Sequence, residues 1–351
     1  PEEFGKVLSD LLQNADPVSL HGYTSAQGAY PVRKAVSDYI KNTFGASVSA
    51  DKIYMTCGAA AALTITLCAL CNAGDEVITF TPYFPEYSVF VSQAGATLVP
   101  VQTKQGTFDI DVAALTAALT QKTKAVIINS PNNPTGAVYP ECDLVELSNA
   151  LRRKQDEYGH AIYLISDEPY REIAYGETKV PFVPELFENT LVCYSYSKSL
   201  SLPGERIGYV LVPPTMEDSK RVYAAVCGAG RALGFVCAPV LFQSVIERCV
   251  DEPCNIDAYR KNRDLLYNGL TKLGYECVAP QGAFYLWMRA LEPDAQAFSE
   301  EAKKHELLIV PSNSFGVEGW VRIGYCVDYS VIERSLPAFA DLMKHYQVSG
   351  F

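Results

Sequence analysis

The hydrophobic and polar positions of this chain form two patterns, which divide near residue 250. Before that point, short apolar runs rich in valine, isoleucine and tyrosine alternate with segments whose apolar residues recur at helical spacing. The runs mostly lack polar residues at every second position, as is typical of strands buried on both faces of a parallel sheet. They are Glu76–Phe80, Ala125–Asn129, Ile162–Ser166, Leu191–Tyr196 and Ile207–Val212. We therefore predict an α/β fold with a mainly parallel sheet.

After about residue 250, the pattern predicts a second, smaller α+β domain. An amphipathic segment, two short apolar runs and a final helical segment occur there: Asp257–Leu273, Ala283–Met288, Trp320–Tyr325 and Tyr329 to about His345. We place the boundary near Pro253, so that residues 17–253 form the large domain. Residues 1–16 and 254–351 are assigned to the small domain.

The composition excludes several classes of partner. The net charge of −11 provides no basic surface for nucleic acid or an anionic membrane. Ala59–Cys71 is apolar apart from its threonines, but it is too short to span a bilayer and predicts a buried helix. Eleven cysteines without framework spacing indicate free thiols in a reducing cytoplasm. We interpret the one CxxC pair, Cys68 and Cys71, as core residues rather than a redox or metal site, and we predict no metal.

The clearest chemical signal is Ser195-Tyr196-Ser197-Lys198, followed by Gly204-Glu205-Arg206-Ile207-Gly208. Lys198 comes after an apolar strand, where a lysine must find an anionic partner or lose its proton. A neutral lysine amine is a nucleophile that forms Schiff bases. The serines and Arg206 suit a phosphate group. A lysine amine beside a phosphate site indicates pyridoxal phosphate, whereas a surface lysine at a loop start fits poorly with so apolar a strand.

Polar groups also follow the neighbouring predicted strands. In an open α/β sheet, ligands bind beyond the carboxyl ends of the strands. Asn133 lies in the Asn-Pro-Thr-Gly segment after one strand, and Asp167 and Tyr170 follow the next. On local sequence alone, Asp167 is also a candidate helix N-cap, and Asn-Pro-Thr-Gly is also an ordinary turn.

Together, these residues form motifs through which the chain resembles the class I and II aminotransferases, fold-type I pyridoxal-phosphate enzymes related to aspartate aminotransferase. The motifs occur in family order: Tyr23-x4-Gly28, Asn133-Pro134-x-Gly136, Asp167-x-x-Tyr170, Ser195-x-Ser197-Lys198, Gly204-x-Arg206-x-Gly208 and Arg322. One such motif occurs by chance, whereas six in order are specific. The resemblance implies a three-layer α/β/α large domain and a smaller α+β domain.

The resemblance implies catalytic roles for Lys198, Asp167 and Tyr170. Lys198 would bind pyridoxal phosphate as a Schiff base and then move the substrate proton. Asp167 would pair with the pyridine nitrogen and keep it protonated, so that the ring accepts electrons. Asn133 and Tyr170 would hydrogen-bond the phenolic oxygen of the cofactor, and Asn133 is also assigned to substrate binding.

The remaining cofactor contacts are implied in the same way. Phe84 would stack on the cofactor ring, although the residue also fits a core aromatic. Ser195, Arg206 and the backbone N–H groups of Gly58, Ala59 and Ala60, at a helix N-terminus, would bind the phosphate. Because the segment after Gly58 carries alanines instead of hydroxyl side chains, we expect phosphate binding to depend more on Ser195 and Arg206.

The family also implies contacts beyond the cofactor. Tyr23 would reach the phosphate in the neighbouring subunit, which implies a homodimer with shared active sites, although a packing aromatic in a loop also explains it. Arg322 would bind the substrate α-carboxylate through two hydrogen bonds. Arg231, in a predicted loop over residues 228–239, lies near where some members bind a side-chain carboxylate, and a surface arginine explains it equally well. We expect the family's glycine-bearing lid segment upstream of Pro1.

We therefore predict an aminotransferase that moves an amino group from an L-amino acid to a 2-oxo acid, with 2-oxoglutarate as the expected acceptor. A pyridoxal-phosphate-dependent carbon–sulfur β-lyase shares nearly all of these motifs and is the alternative. A non-catalytic effector-binding domain fits less well, because Lys198 and Arg322 are present and no basic module accompanies them. A nicotinamide dehydrogenase is disfavoured, because no Gly-x-Gly-x-x-Gly follows a strand. These motifs do not specify the amino acid donor.

Overall fold

The computed structural model describes residues 2–349, which form two sheets surrounded by helices. The helices are α1 (Glu2–Asn14), α2 (Pro17–His21), α3 (Tyr30–Phe44), α4 (Ala59–Leu70), α5 (Glu86–Gln93), α6 (Val112–Ala118), α7 (Glu141–Tyr158), α8 (Tyr196–Ser199), α9 (Ser219–Ala232), α10 (Val240–Cys249), α11 (Ile256–Lys272), α12 (Ala295–Lys304) and α13 (Tyr329–Ser349). The strands are β1 (Ile53–Thr56), β2 (Glu76–Thr81), β3 (Thr97–Gln102), β4 (Thr123–Asn129), β5 (Tyr163–Asp167), β6 (Thr190–Ser195), β7 (Gly208–Leu211), β8 (Cys277–Val278), β9 (Tyr285–Arg289), β10 (Val310–Pro311) and β11 (Trp320–Gly324).

The larger sheet has seven strands in the order β1-β7-β6-β5-β4-β2-β3. The four pairs from β3 to β6 are parallel, whereas β7 runs antiparallel to both β6 and β1. This arrangement confirms the predicted mainly parallel sheet. The apolar pattern does not identify β1 and β3. Edge strand β3 is mostly exposed or half-buried and contains Pro100, so it lacks the continuous apolar run of a central strand.

Helices cover both faces of this sheet, because successive strand residues point to opposite sides. In β4, Ile127 packs in the core formed with α4, and Ile128 packs in the opposite core, which contains Leu147 of α7. The side chains of α4 are buried from Ala61 to Leu67, as its apolar composition predicts. Between residues 2 and 349, no helix combines the length and the hydropathy needed to cross a membrane.

The smaller sheet has four antiparallel strands in the order β10-β11-β9-β8. The predicted helix over residues 257–273 corresponds to α11, and the two predicted strands correspond to β9 and β11. Leu266 of α11 and Phe339 of α13 share one buried core with Val321 of β11. The segment after residue 250 therefore forms a helix-and-sheet unit, whose core also includes Tyr170, Ile173 and Tyr175.

The described contacts of α1 bear on the predicted domain division. Leu11 packs with Val245 and Cys249 of α10, and Asp10 forms an ion pair with Arg248 at 2.6 Å. These contacts favour placing α1 with the larger sheet. The division into residues 17–253 against 1–16 with 254–351 stays a prediction, and its outermost residues, Pro1 and 350–351, lie outside the described residues.

Candidate active site

The carboxyl ends of three central strands meet at one edge of the larger sheet. In the ladder of β4 and β5, Asn129 pairs with Asp167, and Ser195 ends the adjacent β6. Beyond this edge lies a cavity of about 290 Å³. Its lining residues are Ala59, Ala60, Leu63, Phe84, Asn129, Asn133, Asp167, Pro169, Tyr170, Ser195, Ser197, Lys198, Pro203, Arg206, Tyr285 and Arg322. Most residues predicted from the sequence therefore line one cavity; Gly58, Tyr23 and Arg231 do not.

Asp167 lies at the floor of the cavity and is 4% exposed. Its Oδ2 accepts a hydrogen bond from the Tyr87 hydroxyl at 2.6 Å, whereas its buried Oδ1 has no partner among the described residues. Burial raises the pKa of this carboxyl to about 7. An orphaned carboxylate oxygen is costly, and it suits a ligand that brings its own N–H donor, such as a protonated pyridine.

Lys198 stands on the one-turn helix α8, directly after the buried strand β6. Burial lowers the pKa of its amine. Within residues 2–349, no carboxylate lies within 4.0 Å of Lys198 Nζ, which instead lies 5.2 Å from the centre of the Phe284 ring. The Lys198 amine thus forms no ion pair with these residues, and it is available to react as a nucleophile or base.

A group of hydrogen-bond donors around the cavity suits a phosphate. The backbone N–H groups of Ala59 and Ala60 begin the buried helix α4, and a helix N-terminus attracts anions. Arg206 comes close to Gly58: a Cβ atom at Gly58 would lie 2.8 Å from Nη2 of Arg206. Gly58 has φ of +84°, a conformation that other residues rarely adopt. The backbone conformation therefore favours glycine at this position, and a Cβ atom would also push the Arg206 guanidinium aside.

Two serines complete this donor group. Ser195 caps α8 by accepting a hydrogen bond from the Ser197 N–H at 3.2 Å, and the two hydroxyl oxygens lie 2.7 Å apart. Both serines are buried. Their hydroxyl groups therefore offer further hydrogen bonds to an anion in the cavity.

Arg322 joins the smaller sheet to the site. Its Nη1 donates a hydrogen bond to Oδ1 of Asn133 at 2.9 Å. This bond fixes the orientation of the Asn133 amide, and its amide nitrogen, which has no partner within residues 2–349, remains as a donor. The Arg322 guanidinium lies over the rings of Tyr285 and Phe315, at 4.5 and 5.1 Å. A planar, charged fork held in this way suits a carboxylate.

The two aromatic residues predicted for the cofactor ring both line the cavity. The Phe84 ring meets Tyr87 edge to face, with ring centres 5.7 Å apart, and burial raises the pKa of Tyr170 well above its usual value. The Tyr170 phenol therefore stays protonated at neutral pH and acts as a hydrogen-bond donor.

Three residues of the site were missed by the sequence analysis. Tyr87 lies three residues after Phe84, at the start of α5, so its sequence position suggests that it lies near the site. Nothing in the sequence indicates its hydrogen bond to Asp167. Asn129 bonds the Asp167 carbonyl and the Asn133 N–H; as the last residue of an apolar strand, it could have been found. Tyr285 comes from the smaller sheet, and no local signal points to it.

Two predicted residues lie elsewhere. Tyr23 does not line the cavity and is 98% exposed in the single chain. Arg231 does not lie in the loop predicted over residues 228–239, because α9 continues to Ala232 and places it, exposed, in the last helical turn. Gly230 lies inside α9, where the Tyr54 hydroxyl occupies the space that a Cβ would need. Gly230 thus reflects packing rather than a loop.

The cysteine prediction concerns a separate part of the fold. Cys68 lies in α4 and Cys71 just after it, and both carry free thiols. Across residues 2–349, no group of three or more histidine, cysteine, aspartate or glutamate side chains is arranged to hold a metal ion.

Comparison with known proteins agrees with this geometry. The profile of the family described as aminotransferase class I and II matches residues 3–339. The aspartate/prephenate aminotransferase of Thermus thermophilus is 32% identical over 92% of this chain and 83% of its own length. The aromatic-amino-acid aminotransferase 2 of Thermococcus litoralis is 29% identical over 96% of this chain and 88% of its own.

A solved structure is similar over nearly the whole fold. The crystal structure of an amino transferase from Eubacterium rectale has a TM-score of 0.96 and 54% identity, and the match covers 99% of this chain and 87% of the other. The profile, the relatives and the fold therefore agree, and the chain belongs to the class I and II aminotransferases, which are pyridoxal-phosphate-dependent enzymes.

Proposed function

We propose that this cavity binds pyridoxal phosphate and transfers the amino group of an L-amino acid to a 2-oxo acid. The transaminase class is established by the family; the assignment of individual residues and the acceptor, 2-oxoglutarate, are our proposal. The observation that carries the assignment is one cavity in which Lys198 has no anionic partner, Asp167 has an unpaired oxygen and Arg322 faces the same space.

The residues present fit the cofactor group by group. Asp167 would pair with the pyridine nitrogen through its free oxygen, and Asn133 and Tyr170 would donate to the phenolic oxygen. Phe84 would cover one ring face. Ser195, Arg206 and the first N–H groups of α4 would bind the phosphate. When bound, the cofactor supplies an electron-accepting ring that stabilises negative charge at the substrate Cα.

The protein residues then position the substrate and its proton. Arg322 binds the α-carboxylate and orients the amino acid, so that the Cα–H bond faces Lys198. Burial favours the neutral form of the Lys198 amine, and a neutral amine accepts the proton from Cα. Tyr285 and Phe84 contribute aromatic surface to the cavity wall.

The amino donor is open within the family. The relatives compared above are named for aspartate or prephenate and for aromatic amino acids. Among the described lining residues, the cations besides Lys198 are Arg206 and Arg322. We assign these two to the phosphate and the α-carboxylate, so the donor side chain must be distinguished by other groups. We place the reaction in amino acid metabolism.

We also propose a cytoplasmic homodimer with shared active sites. Tyr23 and two residues near it in the sequence, Val18 and Tyr30, are exposed in the single chain, and exposed large apolar side chains suit an interface. All eleven cysteines are free thiols, which suits a reducing compartment. Mixing Tyr23→Ala with Lys198→Ala subunits tests the sharing: about a quarter of wild-type activity should return, because half of the dimers are mixed and each has one intact site.

The decisive experiment is a donor panel. Purified protein, pyridoxal phosphate and 2-oxoglutarate are incubated with single amino acids, and glutamate is measured. We expect glutamate with at least one donor and none from Lys198→Ala, whose visible absorption band at about 360–430 nm should also disappear. Pyruvate and ammonia from cystathionine or cysteine, without an added oxo acid, would instead identify a β-lyase. No product in either assay would contradict the proposal.

A further inference from the structure

Tyr285 contacts both Tyr170 and Arg322, to which we assign different functions. Its hydroxyl oxygen lies 3.1 Å from that of Tyr170, and its ring lies 4.5 Å from the guanidinium carbon of Arg322. Tyr170 serves the cofactor in our proposal, and Arg322 serves the substrate. Tyr285 is therefore the side chain through which the two ends of the site meet.

The place of Tyr285 in the sheet explains this reach. It begins β9 and pairs with Gly324 of β11, two residues beyond Arg322. A Cβ at Gly324 would lie 4.0 Å from the Tyr285 ring, so the ring lies across the glycine backbone and towards the arginine. Residues two apart on a strand share a face, which puts Arg322 on the side that Tyr285 covers.

Either phenol can donate in the hydrogen bond between Tyr170 and Tyr285, and the direction depends on what else each of them bonds. Within residues 2–349, each hydroxyl has the other as its hydrogen-bonding partner. Since one phenol has one hydrogen, only one of the two donates within the pair. If Tyr170 donates into the cavity, Tyr285 must donate to Tyr170. A phenol that accepts a hydrogen bond is polarised and becomes a stronger donor.

We propose that Tyr285 is a positioning residue that strengthens the hydrogen bond of Tyr170 to the cofactor through its hydroxyl and fixes the Arg322 fork through its ring. This inference rests on the proposed function. Two substitutions separate the hydroxyl of Tyr285 from its ring: phenylalanine removes the hydroxyl and keeps the ring, whereas leucine removes both. The two parts affect different measurable quantities.

The first measurement is a pH titration of the visible band of the holoenzyme. When the chromophore loses its proton, more negative charge resides on the ring oxygen that Tyr170 contacts, so a strong donor favours the deprotonated form. Tyr285→Phe weakens this donor and should move the midpoint upward by about 0.5–1 pH unit, the size expected for one neutral hydrogen bond. KM for the amino acid should change less than about twofold.

The second measurement concerns Arg322. Tyr285→Leu should show the same midpoint shift and, in addition, raise KM for every amino acid by about 3- to 10-fold, because a partly buried cation–ring contact is lost. Tyr275→Phe is the matched control: Tyr275 donates from its hydroxyl to the Phe339 carbonyl in the core of the smaller unit, so its loss should affect neither quantity.

A double substitution makes the test specific. In a Tyr170→Phe background, Tyr285→Phe should add no further midpoint shift, because its hydroxyl acts through Tyr170. An unchanged midpoint in Tyr285→Phe would overturn the proposal. So would a shift that Tyr285→Phe causes equally in the wild-type and the Tyr170→Phe backgrounds. A wild-type protein that lacks the band or forms no glutamate would instead contradict the proposed function, so the two failures are distinguishable.

Discussion

The Tyr87 hydroxyl donates a hydrogen bond to Oδ2 of Asp167 at 2.6 Å. Among the described residues, it is the one side chain that donates to the Asp167 carboxylate. Removing it in Tyr87→Phe leaves both carboxylate oxygens without a protein donor, which disfavours the charged form. We expect pyridoxal phosphate affinity, measured by titrating the cofactor-free protein, to fall by about 5- to 10-fold. Tyr158→Phe, which removes a hydroxyl bonded to the distant Leu119 carbonyl, should leave the affinity unchanged; equal losses in both would contradict the role of Tyr87.

Asp167 also makes the stability of the cofactor-free protein depend on pH. Burial raises its pKa from 3.8 to about 7, so the folded state binds this proton more tightly than the unfolded state does. The resulting stability is fully present below about pH 4 and is lost as the pH rises through about 7. Between these limits, the unfolding free energy of the wild type should fall relative to Asp167→Asn by on the order of 4 kcal/mol at most. Urea unfolding at several pH values measures this difference, and parallel curves would refute it.

Arg322→Lys should weaken substrate binding without abolishing it. Lysine keeps the charge but loses the two-pronged geometry and the donor that orients Asn133. We expect kcat/KM to fall by about 30-fold or more for every amino acid donor. Arg289→Lys is the matched control, because Arg289 is an exposed arginine over the Trp320 ring, 5.3 Å from its centre, and does not line the cavity. Similar losses in both variants would argue against carboxylate binding by Arg322.

Gly58→Ala separates backbone strain from anion binding. Gly58 and Gly159 both have positive φ, +84° and +72°, but only a Cβ at Gly58 would crowd Arg206. Both alanine variants should lose about 1 kcal/mol of stability, because alanine is strained at such φ values. Only Gly58→Ala should also weaken pyridoxal phosphate binding, by about tenfold, through displacement of the guanidinium. Stability is measured by denaturant unfolding and affinity by absorbance titration; unchanged affinity would place Arg206 outside the phosphate site.

The predictable part of the site is the part carried by single strands and the turns after them. Lys198 and Asp167 each follow a continuous apolar run, and the parallel sheet brings the ends of such runs together. Arg322 was predicted only from the family order of the motifs, because the apolar pattern alone does not connect it to the other site residues. Edge strand β3 was missed because an edge strand needs no continuous apolar sequence.

The remaining features depend on contacts between distant segments. Gly230 suggests a loop from the sequence alone, but in the structure Tyr54 occupies the space that its Cβ would need. Tyr285 reaches Tyr170 through the pairing of β9 with β11 and the packing of two sheets. Neither relationship leaves a periodic signal in the sequence, because each is set by packing between segments far apart along the chain.

The hydrogen bond between Arg322 and Asn133 joins two protein side chains and requires no ligand atom. Much of the rotamer freedom of this long side chain is therefore lost during folding rather than during substrate capture. An incoming carboxylate meets a guanidinium that is in place, which reduces the entropic penalty of association. If Arg322 binds the substrate as we propose, differences in affinity between amino acids should arise from their side chains rather than from ordering Arg322.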